Sequence, residues 1–356
     1  MNILLLSRYS HLGASSRVRF YQYIPYLEKE GIHVTIANLL GNDYLEDLYR
    51  GKRRRFSMSM NTYAKRLGYL LRCNRYDLVW LQHEIFPWLP AWAETILSHA
   101  GVPYVVDYDD AIFHRYNMHP RALVRGLLGR KIDAVMRRAA LVTVGNEYLG
   151  AYARKAGAKR VAYIPSVIDV KRYMLQNHAE NSFFTIGWIG SPTTEAYLYL
   201  IEDVLSEFCQ HRNTRLILVG STDHALQKVP REIHAWSEET EVQEILSFDV
   251  GIMPQPDEPW AEGKCGYKLI QYMACAKPVI ASPIGAARSL IDHNKNGFLA
   301  AADTDWKKAL GFLREDQGLR QSMGRAGRAK VEKQYTIQVT APLVISLLKS
   351  VCREES

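Results

Sequence analysis

The sequence predicts two doubly wound α/β units in one chain, each built on a parallel sheet that helices cover on both faces. Short apolar, β-branched runs alternate with helical patterns from one end of the chain to the other. The same alternation occurs in both halves. With 356 residues, the chain is long enough for two domains of ordinary size.

Near-continuous apolar strands are typical of sheets that are buried on both faces. In the first half, we expect strands at residues 3–7, 33–37, 78–82, 104–107, 141–144 and 161–164. In the second half, we expect strands at residues 185–189, 215–219, 250–253 and 278–281. Helical stretches fill most of the gaps, and they supply the crossovers that parallel strands require.

A segment with a proline followed by polar residues, 165–169, is the predicted linker between the halves. We therefore expect an N-terminal domain at residues 1–166, a C-terminal domain at 167–335 and a final helix at 336–356 that packs back on the first domain. We expect the two domains to face each other across a cleft. Ligands of open parallel sheets bind beyond the carboxyl ends of the strands, so functional residues are expected there.

Composition excludes several classes of protein. Apolar residues make up 47% and charged residues 23%, as in ordinary globular proteins. No apolar run reaches the roughly 18 residues of a membrane-spanning helix, and the first residues lack the basic region of a signal peptide. The five cysteines are scattered without a C-x-x-C pair, so neither a disulfide framework nor a zinc site is indicated. We expect a cytoplasmic protein.

Positive charge is concentrated in the first half, where residues 1–165 carry a net charge of +11 against −3 for the remainder. The densest cluster is Lys52, Arg53, Arg54 and Arg55, followed by an amphipathic stretch at 63–72. This pattern favours peripheral association with an anionic membrane surface, here the cytoplasmic face. A solvated charged loop is the alternative. Nucleic acid is not an expected partner, because no nucleic-acid-binding motif accompanies the charge.

The segment 260–282 is the most informative in the sequence. A loop between Gly263 and Gly266 leads into a predicted helix and then into a strand. The positive end of a helix attracts anions, yet Lys264 and Lys268 lie at this end, where cations are unfavourable. A bound diphosphate explains this arrangement, and Gln271, three residues after Lys268, is placed to bind a sugar hydroxyl of the same ligand. Otherwise these are solvated residues on a surface helix.

The run Gln-Tyr-Met-Ala-Cys-Ala-Lys-Pro-Val-Ile-Ala-Ser at 271–282, preceded by Gly-x-x-Gly at 263–266, resembles the donor signature of the family 4 glycosyltransferases. The order of strands and helices and the glycines at 13, 187, 190, 220, 251 and 285 extend the resemblance over most of the chain. The resemblance implies the GT-B fold and retaining transfer of a sugar from a UDP- or GDP-linked donor. The nearest subgroup carries Gly-Lys-Cys-x-x-Lys-x-x-Gln-Tyr-Met here.

The chain departs from the family pattern at two places. The family typically has a Glu-x7-Glu pair where this chain has Gly263 and Gln271, and an Arg and a Lys in the loop that here includes Gly190 and Ser191. We expect Lys264 and Lys268 to supply the missing positive charge. The residues predicted to bind the donor are Gly190, Ser191, Trp236, Asp257, Gly263, Lys264, Cys265, Gly266, Lys268 and Gln271.

Three carboxylates, Asp107, Asp109 and Asp110, follow the strand predicted at 104–107. By resemblance, Asp109 or Asp107 takes the place of the polar residue that family members set against the donor sugar, and either carboxylate can stabilise positive charge or orient an acceptor hydroxyl. We predict Asp109, Asp107 and Lys268 as catalytic. The alternatives are an Asp-x-Asp metal site and the capping of a helix or turn. The metal reading is disfavoured, so no metal or other cofactor is expected.

The loop after the first strand contains small residues and two arginines before a predicted helix. Small residues allow a ligand to approach closely, Ser15 or Ser16 is expected to cap the helix, and the arginines favour an anionic group such as an acceptor phosphate. Arg8 and His11 belong to the same neighbourhood. The predicted acceptor-binding residues are Gly13, Ser15, Ser16, Arg17, Arg19 and His83.

The expected activity is therefore sugar transfer to a saccharide acceptor, a lipid-linked or other membrane glycan precursor. Retention by front-face attack requires no protein nucleophile, in keeping with a sequence that contains no recognisable Ser-His-Asp or Cys-His arrangement. Two alternatives remain at this stage. One is a nucleotide-sugar 2-epimerase, and the other is a nucleotide-sugar-binding protein without catalytic activity.

Overall fold

The computed structural model describes residues 1–42, 44, 60–175, 183–210 and 213–353. The chain divides into two compact units. The first comprises Met1–Ser166, Glu262–Cys265 and Val339–Ser356, and the second comprises Val167–Ala261 and Gly266–Gln338. The basic cluster Lys52 to Arg55, on which the membrane prediction rests, lies outside the described residues.

The first unit contains a six-stranded parallel sheet in the order β2-β1-β3-β4-β5-β6. Its strands are β1 (Asn2–Leu6), β2 (His33–Ile36), β3 (Leu78–Gln82), β4 (Tyr104–Tyr108), β5 (Leu141–Val144) and β6 (Val161–Tyr163). Every residue of β3 and β4 is buried, as expected for central strands with helices on both faces.

The second unit contains another six-stranded parallel sheet, in the order β12-β11-β10-β7-β8-β9. Its strands are β7 (Phe184–Ile189), β8 (Thr214–Val219), β9 (Glu232–His234), β10 (Val250–Met253), β11 (Val279–Ala281) and β12 (Gly297–Leu299). The sequence did not predict β9 and β12. Both are three-residue strands at the edges of the sheet, and β9 carries polar residues, so neither gives a continuous apolar run.

Helices connect the strands in both units. The α-helices span Ala14–Arg19, Ile24–Lys29, Met60–Leu70, Trp92–His99, His114–Asn117, Ala122–Leu128, Lys131–Arg138, Glu147–Lys155, Glu202–Cys209, Glu241–Leu246, Pro259–Glu262, Tyr267–Ala274, Ala287–Leu290, Asp303–Glu315, Gln317–Gln334 and Ile337–Arg353. The predicted α/β class is thereby confirmed. Within the part of the chain that the structure describes, no helix combines the length and apolar character needed to cross a membrane.

The last helix, Ile337–Arg353, belongs to the first unit from Val339 onward. The Tyr23 hydroxyl lies 2.9 Å from the Thr340 hydroxyl in the interior, and Lys349 Nζ lies 2.8 Å from Glu30 Oε2 at the surface. The expectation that the C-terminal helix packs on the first domain is confirmed.

Two glycines allow a close approach between the helices Tyr267–Ala274 and Gln317–Gln334 in the second unit. A Cβ atom at Gly324 would lie 1.9 Å from the backbone oxygen of Ala276, and one at Gly327 would lie 2.9 Å from Met273 Cγ. The Arg328 guanidinium also donates to the carbonyl of Tyr173, at 2.6 Å, and to that of Ala274. These contacts fix the position of the helix that carries Lys268 and Gln271.

Replacing Gly324 with alanine should destabilise the protein by about 1–3 kcal/mol, because the new methyl group meets a backbone atom and the helices must separate. Urea unfolding monitored by circular dichroism measures this change. The matched control is Gly311→Ala in the helix Asp303–Glu315, where a Cβ meets nothing within 4 Å and alanine should stabilise the helix by up to about 1 kcal/mol. Equal effects of the two substitutions would contradict the close approach.

Candidate active site

A buried ion pair lies at the carboxyl end of β4 in the first unit. Arg19 Nε lies 2.8 Å from Asp107 Oδ2, and Arg19 Nη2 lies 2.6 Å from Asp107 Oδ1. The Thr143 hydroxyl also donates to Asp107, and Arg19 Nη1 donates to the Ile164 carbonyl at 2.7 Å. The predicted catalytic Asp107 and the predicted acceptor-binding Arg19 therefore neutralise each other inside the unit.

Asp109, two residues further, is held by two other predicted residues. The Ser15 hydroxyl donates to Asp109 Oδ2 at 2.5 Å, and His83 Nε2 lies 2.8 Å from Asp109 Oδ1. His83 has a left-handed backbone with φ of +64°, and its Nδ1 atom is buried without a hydrogen-bond partner. The structure thus brings Ser15, His83 and Asp109 together at one edge of the sheet.

The environment of Asp109 favours its ionised form. Burial alone would raise the pKa of this carboxyl, but the hydrogen bond and charge of His83, the charge of Arg19 and the hydrogen bond from Ser15 lower it below its usual value. The side chain remains 12% exposed. Asp109 is therefore a positioned carboxylate that stays charged over the physiological pH range.

The predicted capping role of the loop serines is wrong. The helix Ala14–Arg19 begins after Gly13, which makes no side-chain capping bond. Ser16 lies inside the helix, and its hydroxyl donates to Gln82 Oε1 at 2.6 Å. Both serines are instead used for tertiary contacts, because the helix points their hydroxyls at the ends of β3 and β4.

Arg17 and Gly13 lie in the same loop region. Arg17 is buried, and its Nη1 donates to the carbonyl of His11 at 3.5 Å. A Cβ at Gly13 would lie 2.4 Å from Tyr9 Cβ, so packing within the loop accounts for this glycine. The capping alternative for Asp109 and Asp110 is also not observed, since the next helix, His114–Asn117, begins at Phe113 without a side-chain cap.

Three predicted donor residues, Gly263, Lys264 and Cys265, belong to the first unit. Lys264 Nζ forms an ion pair with Asp110 Oδ1 at 2.9 Å. The Cys265 thiol donates to the Asp109 carbonyl at 3.1 Å, and a Cβ at Gly263 would lie 2.6 Å from the Ala111 backbone nitrogen. Their local partners are therefore residues that follow β4. Burial raises the pKa of the Cys265 thiol well above its usual value.

Lys268 lies in the second unit, on the first turn of the helix Tyr267–Ala274. Gly266 begins this helix with φ of +68°, which favours glycine. Lys268 Nζ lies 4.1 Å from the centre of the Trp188 ring and donates to Thr194 Oγ1 at 3.1 Å. Gly190 ends β7 beside this ammonium group, since a Cβ there would lie 2.5 Å from Lys268 Nζ. Lys268, Gly190 and the loop 190–194 therefore form one cationic corner.

Gln271, one turn further along this helix, belongs to a buried polar network. Its amide Nε2 donates to the Tyr173 hydroxyl at 3.0 Å, and that hydroxyl lies 3.4 Å from Glu241 Oε1. Glu241 Oε2 accepts a hydrogen bond from the Trp236 indole at 3.2 Å. Arg172 Nη2 lies 3.2 Å from Glu241 Oε1 and compensates its charge. The network connects two predicted donor residues, Gln271 and Trp236.

The remaining predicted donor residues lie apart from this network. Ser191 is in the loop after β7, where its hydroxyl lies 2.8 Å from the Thr193 hydroxyl. Asp257 is exposed in the loop after β10. Within the described ranges, no group of three His, Cys, Asp or Glu side chains is arranged to hold a metal ion.

Sequence reasoning missed Tyr173 and Glu241, which complete the Gln271 network, and Arg115, which lies near Arg8 in the first unit. Tyr173 and Glu241 are separated by 68 residues, and no local spacing connects either of them with Gln271. A buried glutamate at the first position of a helix, as Glu241 is, was the one available signal, because such burial requires a partner.

Residues 180–316 match the family model described as Glycosyl transferases group 1. This match covers most of the second unit, and it confirms the prediction of a glycosyltransferase of class EC 2.4. No curated protein sequence matches the chain significantly.

Solved structures resemble the whole chain in fold. Anabaena HepE in complex with UDP and glucose has a TM-score of 0.74 at 16% identity, with 98% of this chain and 100% of that chain covered. Sucrose-phosphate synthase from Thermosynechococcus elongatus has a TM-score of 0.75 at 15% identity, with 99% of each chain covered. WaaG, a glycosyltransferase involved in lipopolysaccharide biosynthesis, has a TM-score of 0.71 at 14% identity over 96% and 99% of the two chains. The predicted GT-B fold is confirmed.

Replacing Asp107 with asparagine should lower the free energy of unfolding by about 3–5 kcal/mol, because Arg19 then stays buried without a counter-charge. Urea denaturation measures the loss. Asp257→Asn, at an exposed position, is the control and should change stability little. A loss below about 1 kcal/mol for Asp107→Asn would show that the pair does not support the sheet edge.

The lowered pKa of Asp109 predicts how its contribution to stability depends on pH. A carboxyl with a lowered folded-state pKa stabilises the protein above its unfolded pKa, near 3.8, and this contribution is lost as the pH falls further. Melting temperatures of the wild type and Asp109→Asn should therefore differ most at neutral pH and converge below pH 3.8. A difference that grows with acidity would contradict the assigned direction.

Proposed function

We propose that this protein is a retaining glycosyltransferase. It moves a sugar from a UDP- or GDP-linked donor to a saccharide acceptor, which is a lipid-linked or other membrane glycan precursor. The observation that carries the proposal is the cationic corner at the end of β7, where Lys268 lies beside Gly190 at the start of the helix Tyr267–Ala274.

The cationic corner suits a diphosphate. The helix start presents unpaired backbone N–H groups, and Lys268 adds a full charge that the helix dipole alone disfavours. Trp188 is buried under the ammonium group, so the position of Lys268 is restricted before a ligand arrives. Structures of the similar Anabaena protein contain UDP and UDP-glucose, which supports a nucleotide-sugar donor here.

We assign the donor nucleoside to the network around Gln271. Because the amide nitrogen of Gln271 donates to Tyr173, its oxygen is directed away from that bond and can accept a hydrogen bond from a ribose hydroxyl. Trp236, held by Glu241, is half-buried and offers a ring face for the base. Gln271 thus takes the role that the second glutamate has in the related family pattern.

The reaction requires no covalent intermediate with the protein. The acceptor oxygen attacks the anomeric carbon on the face from which the diphosphate leaves. The bond between that carbon and the phosphate oxygen breaks, and the leaving phosphate takes the acceptor proton. Asp109 stays ionised, so it can stabilise positive charge on the sugar or orient the acceptor hydroxyl. Asp107 contributes indirectly, through its pair with Arg19. The proposal includes no metal or other cofactor.

The acceptor class and location rest on charge and on one similar protein. Residues 1–165 carry a net charge of +11, which favours an anionic surface such as the cytoplasmic membrane face. WaaG, which shares the fold, is involved in lipopolysaccharide biosynthesis. These two facts support a membrane glycan precursor as acceptor and a cytoplasmic chain that works at the membrane.

Lys268→Ala should weaken UDP binding about tenfold to a hundredfold, because a charge-assisted contact contributes about 1.5–3 kcal/mol. Isothermal titration calorimetry with UDP, and with GDP as the competing base, measures the effect. The control is Lys308→Ala, an exposed lysine on the helix Asp303–Glu315, which should leave the affinity unchanged.

The outcomes separate the proposal from its alternatives. Sugar transfer to an acceptor with a retained anomeric configuration, measured by NMR of the product, supports the proposal. Turnover of UDP-GlcNAc without an acceptor identifies a 2-epimerase. Donor binding with neither hydrolysis nor transfer identifies a binding protein. Unchanged UDP affinity in Lys268→Ala removes the donor site from this helix.

A further inference from the structure

Three cations surround one buried carboxylate at the carboxyl edge of the first sheet. Glu84 follows β3 and accepts a 2.5 Å contact from Lys131 Nζ. Arg8, which follows β1, approaches the same carboxylate only to 4.0 Å. Arg115 is also within electrostatic reach of Glu84 and Arg8. Because Lys131 neutralises Glu84, the charges of Arg8 and Arg115 are left uncompensated.

Arg8 is buried without its full set of hydrogen bonds. Its side chain is 8% exposed, and its Nη1 atom has no hydrogen-bond partner. Its Nε donates to the Tyr9 hydroxyl at 3.2 Å, and the guanidinium lies 5.6 Å from the centre of that ring. A buried donor without an acceptor is unfavourable, and a buried cation without a counter-charge is more so. The arrangement therefore lacks an anion.

Arg115 repeats the pattern from a second element. It lies on the short helix His114–Asn117 and is partly buried. Burial and the charge of Arg8 lower its pKa, which is the signature of two like charges brought together. Among the described residues, no carboxylate lies within ion-pair distance of its guanidinium.

The two arginines are connected to the proposed catalytic carboxylate. The backbone N–H of Arg8 donates to Gln82 Oε1 at 2.8 Å, and the Gln82 amide donates to Ser15 Oγ at 2.7 Å. Ser15 in turn donates to Asp109. A ligand group bound by Arg8 is therefore held at the same sheet edge as the carboxylate that orients the acceptor.

We propose that Arg8 and Arg115 form a binding site for a phosphate group carried by the acceptor. A phosphate near neutral pH carries between one and two negative charges, which matches the two uncompensated cations. Guanidinium groups bind phosphate oxygens through paired N–H donors, whereas a single carboxylate would neutralise only one of them. This inference rests on the proposed function, and it moves the predicted acceptor phosphate from Arg17 and Arg19 to Arg8 and Arg115.

The test uses inorganic phosphate with the full-length protein and saturating UDP, so that the second unit is not a competing site. Phosphate should raise the melting temperature of the wild type in proportion to the logarithm of its concentration. Arg8→Gln and Arg115→Gln should each weaken phosphate binding at least about tenfold. The control is Arg121→Gln, an exposed arginine before the helix Ala122–Leu128, which should behave as the wild type.

A second readout separates binding from a structural role. In phosphate-free buffer, Arg8→Gln should melt at the wild-type temperature or above it, because the substitution removes a like-charge repulsion. A phosphate response retained in both Arg8→Gln and Arg115→Gln overturns the proposal, as does a loss of stability in Arg8→Gln without phosphate. Neither result depends on Lys268 or on UDP affinity, so failure here is distinct from failure of the proposed function.

Two further arms identify the source of the phosphate. Glucose 6-phosphate represents a soluble sugar phosphate, and vesicles containing phosphatidic acid represent a membrane-borne one. Binding to either probe that is lost in Arg8→Gln and kept in Arg121→Gln supports the site and assigns its source. If Arg8→Gln binds both probes as the wild type does, the site is rejected.

Discussion

The first unit depends on the buried ion pair between Arg19 and Asp107. Both charges lose water, and only the two parallel hydrogen bonds and the surrounding acceptors compensate for this cost. The pair connects the helix Ala14–Arg19 to β4, and further bonds reach Thr143 on β5 and the Ile164 carbonyl after β6. One guanidinium thus joins three parts of the sheet to the helix.

This anchor also sets the position of the candidate catalytic carboxylate. Ser15 lies one helical turn before Arg19, and Asp109 lies two residues after Asp107, so each pair shares one side of its element. When Arg19 meets Asp107, Ser15 is brought to Asp109. The charge of Asp109 and the geometry of its hydroxyl donor therefore follow from the packing of a structural pair.

Sequence alone predicted the central parts of both sheets, because buried parallel strands are apolar throughout. It failed at β9 and β12, which are short and lie at the edges. The site was predicted less completely. Lys264 and Lys268 are four residues apart in one motif, yet Lys264 pairs with Asp110 while Lys268 rests on Trp188. Local spacing contains no information about partners more than 75 residues away.

The excursion of Glu262–Cys265 into the first unit, together with the final helix, constrains how the protein can be made. The contacts of Cys265 with the Asp109 carbonyl and of Thr340 with Tyr23 require segments that are translated long after residue 166. The earliest part of the chain to leave the ribosome therefore waits for the latest part before its interior is complete. A fragment ending at residue 166 would expose the surfaces that those segments cover.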